Sequence, residues 1–291
     1  MAKKTIRKEI PIALSSDYMT QITNDGGGGR KYEVEGATYE SVTSIISNNL
    51  RNFGVERWKD SWIKSQLSRY DGQTLTPQIA TDIVSASTDE MNASADLGTQ
   101  MHTIIEGMLR DENVDHLITD QFEPAVRAWL KWRKKFINWE LVGTEVGVFA
   151  GDTKDASAFD VNKNYAGQVD ALFRMGNHYM VVDWKTSSGL YDSAFLQVGA
   201  YAYALKDMYS LSWGSSDILK HRDVNSVSAC VVRMMNDYPR DPKGKKNRRE
   251  PKIFTDQCEY VTVNVDHWSR TFRDMASVSS RLKHKVEKVR L

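Results

Sequence analysis

The chain has 291 residues, 41% of them hydrophobic and 26% charged, with a net charge of +1. These values are ordinary for a globular protein. A net charge near zero gives no overall positive potential that would attract a polyanion, so any nucleic-acid surface must be a local patch. Two cysteines, Cys230 and Cys258, are too few for a disulfide framework or a four-cysteine cluster. We find no signal-peptide pattern and no run of about 18 apolar residues that could span a bilayer. We therefore expect a cytoplasmic protein, in the host cytoplasm if the source is viral.

The first half of the chain is predicted to be mostly helical. Residues 1–40 are polar and weakly patterned, and the four-glycine run at 26–29 is typical of a flexible loop or hairpin tip. Apolar spacing and a Thr-Pro helix start predict helices at 55–69, from Thr76 to about 110, and at 120–138. We assign residues 1–37 to a partly flexible N-terminal extension and residues 38–139 to a helical lobe.

The second half alternates between strand and helix patterns. Strands are predicted at 140–150, in a hairpin within 165–188, at 226–235 and at 258–265, and helices at 193–209 and 267–289. This order predicts an α/β core over residues 140–291, with a central mixed sheet flanked by helices and preceded by the helical lobe.

The predicted hairpin, YAGQVDALFRMGNHYMVVDWKTSS at 165–188, carries an acid in each apolar strand. Gly176-Asn177 suits a two-residue turn, because glycine accepts a positive φ at the first central position. With these two residues as the loop, the register places Asp170 directly opposite Asp183, on the same face of the sheet.

Lys185 falls on the face of Asp183, whereas Trp184 points to the other side. Directly opposed like charges destabilise a sheet unless they are solvated, share a proton or flank a cation. Hard divalent ions such as Mg²⁺ take carboxylate oxygens, and such an ion can generate a hydroxide nucleophile. The alternative is that this face is exposed to solvent and that its acids have no chemical role.

Several motifs together resemble those of the PD-(D/E)XK nuclease superfamily and, more narrowly, its RecB-like exonuclease branch. The motifs are GQVD at 167–170, DWK at 183–185, GTQMHTIIE at 98–106 and QVGAY at 197–201. YESVTSIIS at 39–47, with Trp58, is similar to the N-terminal segment of phage exonucleases and the mitochondrial genome maintenance exonuclease. The resemblance covers about residues 38–205 and implies a restriction-endonuclease-like fold.

The resemblance implies a site for Mg²⁺ or Mn²⁺. Its ligands would be Asp170, Asp183, the backbone carbonyl of Trp184 and His102, with Lys185 as the catalytic lysine. A lone histidine on a helix is more often packed or solvated than a ligand, so that alternative stays open for His102.

Four further residues match positions around the family's active site. The resemblance implies a catalytic role for Glu145 and supporting roles for Glu106, Gln197 and Tyr201. Gln197 and Tyr201 share a helix face and would orient the lysine or a phosphate. The alternatives are an exposed strand residue for Glu145 and ordinary helix packing for the pair.

Holding a polyanion next to acids requires local basic residues. The candidate DNA contacts lie between two predicted strands: Lys243, Lys245, Lys246, Arg248 and Arg249. The closing helix at 281–290 is also basic, and the helix at 127–139 interleaves aromatic residues with Arg and Lys, as single-strand binding requires. The alternative is that these charges form solvated faces and that the tryptophans belong to the core.

The resemblance implies a metal-dependent DNA exonuclease of phage type, acting in replication, recombination or degradation on DNA that is single-stranded or has free ends. The resemblance is compatible with a single-strand-binding or recombination protein as partner, and it implies no association with a membrane. The cysteine count excludes the iron–sulfur cluster of some relatives, and no phosphate loop for ATP occurs. Three alternatives stay open: a structure-specific endonuclease, an inactive DNA-binding or assembly protein, and a site whose metal has only a structural role.

Overall fold

The computed structural model describes residues 5–24, 29–50, 53–151, 164–210, 226–246 and 252–283. Nine strands lie in these ranges: β1 (Thr5–Pro11), β2 (Tyr18–Asn24), β3 (Arg30–Val34), β4 (Ala37–Ser41), β5 (Glu140–Ala150), β6 (Tyr165–Met175), β7 (His178–Lys185), β8 (Ser226–Asp237) and β9 (Ile253–Val263). The α-helices are α1 (Val42–Asn49), α2 (Phe53–Leu67), α3 (Pro77–Leu109), α4 (Glu123–Lys135), α5 (Asp192–Ser210) and α6 (Val265–Lys283). Short 3₁₀ turns lie at Ser68–Tyr70 and Asp115–Leu117. None of the described helices is long and apolar enough to cross a membrane.

The strands form one mixed sheet with the path β1-β2-β3-β4-β6-β7-β8-β9, and β5 also pairs with β6. The β4–β6 and β7–β8 pairs are parallel, whereas the other pairs are antiparallel. The mixed sheet flanked by helices confirms the predicted α/β class.

The centre of the sheet is buried on both faces, which explains why its central strands read as continuous apolar runs. One face packs against α1, α5 and α6, and the other against α3 and α4. In β7, Tyr179 and Val181 face the first layer, whereas Val182 and Trp184 face the second. The Trp184 ring lies 5.2 Å from that of Trp132, at an interplanar angle of 84°.

The helical predictions are confirmed for α2, α3 and α4 within a few residues. Thr76 caps α3, accepting a hydrogen bond from the backbone N–H of Ile79 at 3.3 Å, and Pro77 occupies the first turn. Strand β9 begins at Ile253, five residues before the predicted start at 258. Helix α6 begins at Val265, and the rest of the predicted helix beyond 283 lies outside the described residues.

The absence of strands from the prediction for residues 1–40 was wrong. Residues 5–24 and 29–41 contain β1 to β4, an antiparallel meander that continues the central sheet. The strands are short and only one face is buried, with Tyr32 and Tyr39 paired on it, so their alternation is brief. Of the glycine run predicted as a loop or hairpin tip, only Gly29 is described, directly before β3, and residues 26–28 lie outside the described residues. The segment boundaries at 37/38 and 139/140 stay predictions.

Candidate active site

The hairpin of β6 and β7 has the predicted turn and register. Gly176 has φ +59°, and the pairs run from Met175 with His178 to Ala171 with Val182. One step further the register brings Asp170 opposite Asp183. The strand pairing itself ends at Ala171 and Val182. Beyond it, Asp170 Oδ2 accepts a hydrogen bond from the backbone N–H of Trp184 at 2.8 Å. Asp170 is thus held against β7 by the backbone that leads into the lysine.

A third carboxylate lies in the same row. The β5–β6 pairs of Thr144 with Ala171 and of Val146 with Val169 place Glu145 opposite Asp170 on its other side. Glu145 has φ +53°, in the left-handed region that a glutamate rarely adopts. Glu145, Asp170 and Asp183 therefore follow one another across three neighbouring strands, and we call them the carboxylate row.

Lys185 and Gln197 form a closed network with Asp183. The Lys185 ammonium lies 2.7 Å from Asp183 Oδ2 and donates to Gln197 Oε1 at 3.2 Å. The amide of Gln197 donates to Asp183 Oδ1 at 2.9 Å and to the Tyr201 hydroxyl at 3.3 Å. Helix α5 therefore positions both the lysine and the carboxylate through one amide.

Tyr201 explains the glycine of the GQVD motif. A Cβ at Gly167 would lie 2.2 Å from Cε1 of the Tyr201 ring, a distance that no packed side chain tolerates. Tyr201 is 3% exposed and fills the space between α5 and β6. The glycine therefore allows α5 to approach closely enough for Gln197 to reach Asp183.

His102 comes from α3, on the other side of the site. Its Nε2 lies 2.9 Å from the carbonyl oxygen of Trp184, and its Nδ1 lies 3.5 Å from Asp170 Oδ2. Gly98, one turn earlier, lets α3 pass close to the strand end, because a Cβ there would lie 3.0 Å from Thr186 Oγ1. The three predicted ligand residues other than Asp183 thus meet at one point.

Glu106, one turn beyond His102, takes a supporting position. Its Oε1 lies 2.5 Å from Nη2 of Arg110 and accepts a 3.5 Å hydrogen bond from the Thr144 hydroxyl. Thr144 directly precedes Glu145, so Glu106 contacts the strand that carries the carboxylate row.

The nearby cations do not fully neutralise the negative charge of the carboxylate row. Burial, and then the charge of Asp183, raises the pKa of Asp170 to about 8. Burial, and then the charge of Asp170, raises the pKa of Glu145 to about 7. Burial opposes the charge of Lys185, but Asp183 and Asp170 together outweigh it and raise the pKa of the ammonium. Burial and the neighbouring carboxylates therefore both favour the protonated forms of Asp170 and Glu145.

The donor set fits a hard divalent cation: carboxylate oxygens, a backbone carbonyl and one imidazole. Burial lowers the pKa of His102, which favours the neutral ring that a ligand requires. Within the described residues, no three His, Cys, Asp or Glu side chains form a preformed metal cluster. The reason is local, because the Lys185 ammonium holds Asp183 and the imidazole contacts the carbonyl.

Two cations near the row were missed by sequence reasoning. Lys8 on β1 and Arg30 at the start of β3 both interact electrostatically with Glu145. No signal at the sequence level identifies them, because the strands that carry them were not predicted.

The predicted DNA contacts are only partly described. Lys243 and Lys245 are exposed in a turn after β8, and Lys246 pairs with Asp237 at 2.7 Å. Arg248 and Arg249 lie outside the described residues, as does 284–290 of the closing helix.

The interpretation that the tryptophans of α4 belong to the core is confirmed for Trp129 and Trp132. Trp129 and Trp132 are 3% and 1% exposed and belong to the core, so bases cannot stack on them. The α4 helix instead covers one face of the sheet, where both tryptophan rings pack against Trp184.

Comparison with known proteins gives one informative match. A family model described as the PD-(D/E)XK nuclease superfamily matches residues 78–285. A comparison with curated proteins found no match. One solved structure, described as the crystal structure of SSO0001, is similar at 11% identity over 78% of this chain and 88% of that chain. Its TM-score of 0.27 is too low to support an argument about fold or function.

Proposed function

Because this chain belongs to the PD-(D/E)XK nuclease superfamily, a group of nucleases that generally use divalent metals such as Mg²⁺, we propose that it is a metal-dependent DNA exonuclease. It would hydrolyse phosphodiester bonds from DNA ends. The observation that carries the proposal is the carboxylate row with Lys185 at its end and His102 facing it. The mixed sheet and helices around this row are consistent with a restriction-endonuclease-like fold.

The chain's own residues divide into ligands and positioning groups. Asp170, Asp183, the Trp184 carbonyl and His102 would hold the cation. A bound divalent ion supplies an activated water and stabilises the charge that develops on the phosphate. Glu145 adds a third acid beside Asp170.

Lys185 acts as a charged donor in this proposal. Its raised pKa keeps the ammonium protonated near neutral pH, so it orients the attacking water or a phosphate oxygen by donating to it. Gln197 holds the ammonium in place at 3.2 Å. Tyr201 in turn fixes the Gln197 amide.

The finer role follows from the motifs. Their order supports the RecB-like exonuclease branch, a phage-type function in replication, recombination or degradation, and a single-strand-binding or recombination protein as partner. A preference for ends distinguishes this role from the endonuclease alternative on the same core.

The test uses end-labelled linear DNA and circular DNA with Mg²⁺, Mn²⁺ or EDTA. Wild type is compared with Lys185→Ala and with Lys206→Ala, a matched change at an exposed lysine of α5. We expect metal-dependent loss of linear DNA with circles spared, at least 100-fold weaker in Lys185→Ala, because a preorganised donor of this kind contributes about 10²–10³ in rate. Lys206→Ala should match wild type.

Other results would overturn the proposal in distinct ways. Cleavage of circles in both metals would establish the endonuclease alternative. Binding of DNA without cleavage in either metal would establish the inactive DNA-binding alternative. Equal cleavage by wild type and Lys185→Ala would contradict the assigned role of the lysine.

A further inference from the structure

A cavity of about 560 Å³ opens beside the carboxylate row, between the helical lobe and the end of β7. Its walls include His102 and Lys185, and residues of α2, α3, the start of α5 and the ends of β8 and β9 complete it. Pockets of this size hold a small ligand. For a nucleic acid, this corresponds to roughly one or two nucleotides.

Aromatic rings line this cavity although the proposed chemistry does not use them. Phe254 is buried in the core and packs against Phe122 at 5.8 Å. Trp58 and Tyr238 are half-buried, and Tyr191 is exposed. These three rings are the faces that a ligand in the cavity can cover. Successive bases stack on such rings without regard to sequence.

Two lysines line the cavity together with the rings. Lys252 lies with its Nζ 5.2 Å from the centre of the Tyr238 ring. Lys185 lines the cavity at the carboxylate row, and Glu90 is the acid among the lining residues that the structure describes. A single strand presents matching groups, with a flat base and an anionic phosphate in every nucleotide.

A paired strand cannot use this cavity. Bases within a duplex are stacked on each other, so an enzyme that covers a base face must first take the base out of the stack. A space for one or two nucleotides also excludes the second strand.

We propose that the cavity holds an unpaired nucleotide next to the phosphodiester that is cut. Its base lies against Trp58 and Tyr238, and its phosphate lies near Lys252. The substrate is therefore a single strand or the unpaired end of a duplex. This inference rests on the proposed function, because it takes the carboxylate row as the place of cleavage.

The experiment measures binding of the full chain in EDTA, where no metal-dependent cleavage interferes. Fluorescent single strands, blunt duplexes and single strands with abasic sites are titrated at one fixed salt concentration. The variants are Trp58→Ala and Tyr238→Ala. The controls are Tyr238→Phe, which keeps the ring, and Trp139→Ala, a half-buried tryptophan that does not line the cavity. Thermal melts confirm that each variant folds.

We expect Trp58→Ala and Tyr238→Ala each to weaken single-strand binding by about five- to 150-fold, the range for losing one stacked base. Duplex binding and both controls should change less than twofold. Abasic strands should bind to wild type as weakly as normal strands bind to the two alanine variants. Equal losses for single strand and duplex, or no loss on removing the bases, would overturn the inference.

The two proposals fail separately. Aromatic-dependent binding of single strands without metal-dependent cleavage would refute the nuclease and leave the cavity standing only as a binding site for an unpaired nucleotide. Cleavage by a protein whose strand binding ignores Trp58 and Tyr238 would do the reverse.

Discussion

The substitution Asp170→Asn should stabilise the protein in the absence of metal. Asparagine keeps an oxygen that can accept the Trp184 N–H, which the carboxylate accepts at 2.8 Å. It removes an ionisable carboxylate from a side chain that is 14% exposed and lies between Glu145 and Asp183 in the row. The loss of negative charge should therefore outweigh the loss of a charge-assisted hydrogen bond.

The magnitude follows from the pKa of Asp170, which is raised from 3.8 to about 8 in the folded state. An acid whose folded pKa is raised contributes stability below its unfolded pKa, and this stability is lost as pH rises towards the folded pKa. One pKa unit corresponds to about 1.4 kcal/mol, so the loss reaches about 4 kcal/mol at pH 7. Water penetration reduces this figure, and we expect Asp170→Asn to add about 1–3 kcal/mol at pH 7 and little at pH 4.

The assay is denaturant unfolding in EDTA between pH 4 and pH 8. Asp82→Asn, at an exposed position of α3, is the matched control and should leave the curve unchanged. Addition of Mg²⁺ should stabilise wild type by mass action and the variant much less. Wild-type stability that rises from pH 5 to pH 8 in EDTA, or a variant that is less stable than wild type at pH 8, would refute the reasoning.

Three further predictions concern neighbouring residues. His102→Ala should raise the Mg²⁺ concentration for half-maximal cleavage by about 10-fold or more, as a metal titration would show; an unchanged midpoint would exclude it as a ligand. Gly167→Ala should cost about 1–3 kcal/mol of unfolding free energy in denaturant unfolding, because its Cβ would collide with the Tyr201 ring. Gly72→Ala is the comparison: nothing lies within 4 Å of its added methyl, but φ is +78°, so this variant reports backbone strain alone. Gln197→Ala should reduce kcat at least 10-fold with little change in KM, because it releases both Lys185 and Asp183 from the amide that positions them; a change in KM alone would contradict this role.

Local pattern was sufficient for the hairpin and its chemistry. The turn at Gly176 and the two-residue period set which side chains share a face, so the opposition of Asp170 and Asp183 follows from geometry that needs no tertiary contact. The same holds for α3, whose start is marked by Thr76 and Pro77.

Residues far apart in the chain could be related to this hairpin only through the resemblance. His102 is 82 positions from Trp184 yet lies 2.9 Å from its carbonyl. No periodicity encodes that distance, because it depends on how α3 crosses the sheet. The burial of Trp129 and Trp132, which an aromatic and basic helix could equally expose, was decided by packing on Trp184.

The α/β class, the hairpin register and the meeting of two acids and a lysine on the hairpin all follow from local sequence, because strand period and turn chemistry act over a few residues. Tertiary structure alone decided the four N-terminal strands, the left-handed backbone at Glu145 and the aromatic cavity beside Lys185. These features depend on which surfaces pack together across the fold. Short strands with one buried face have too little hydrophobic alternation for the sequence to predict that packing.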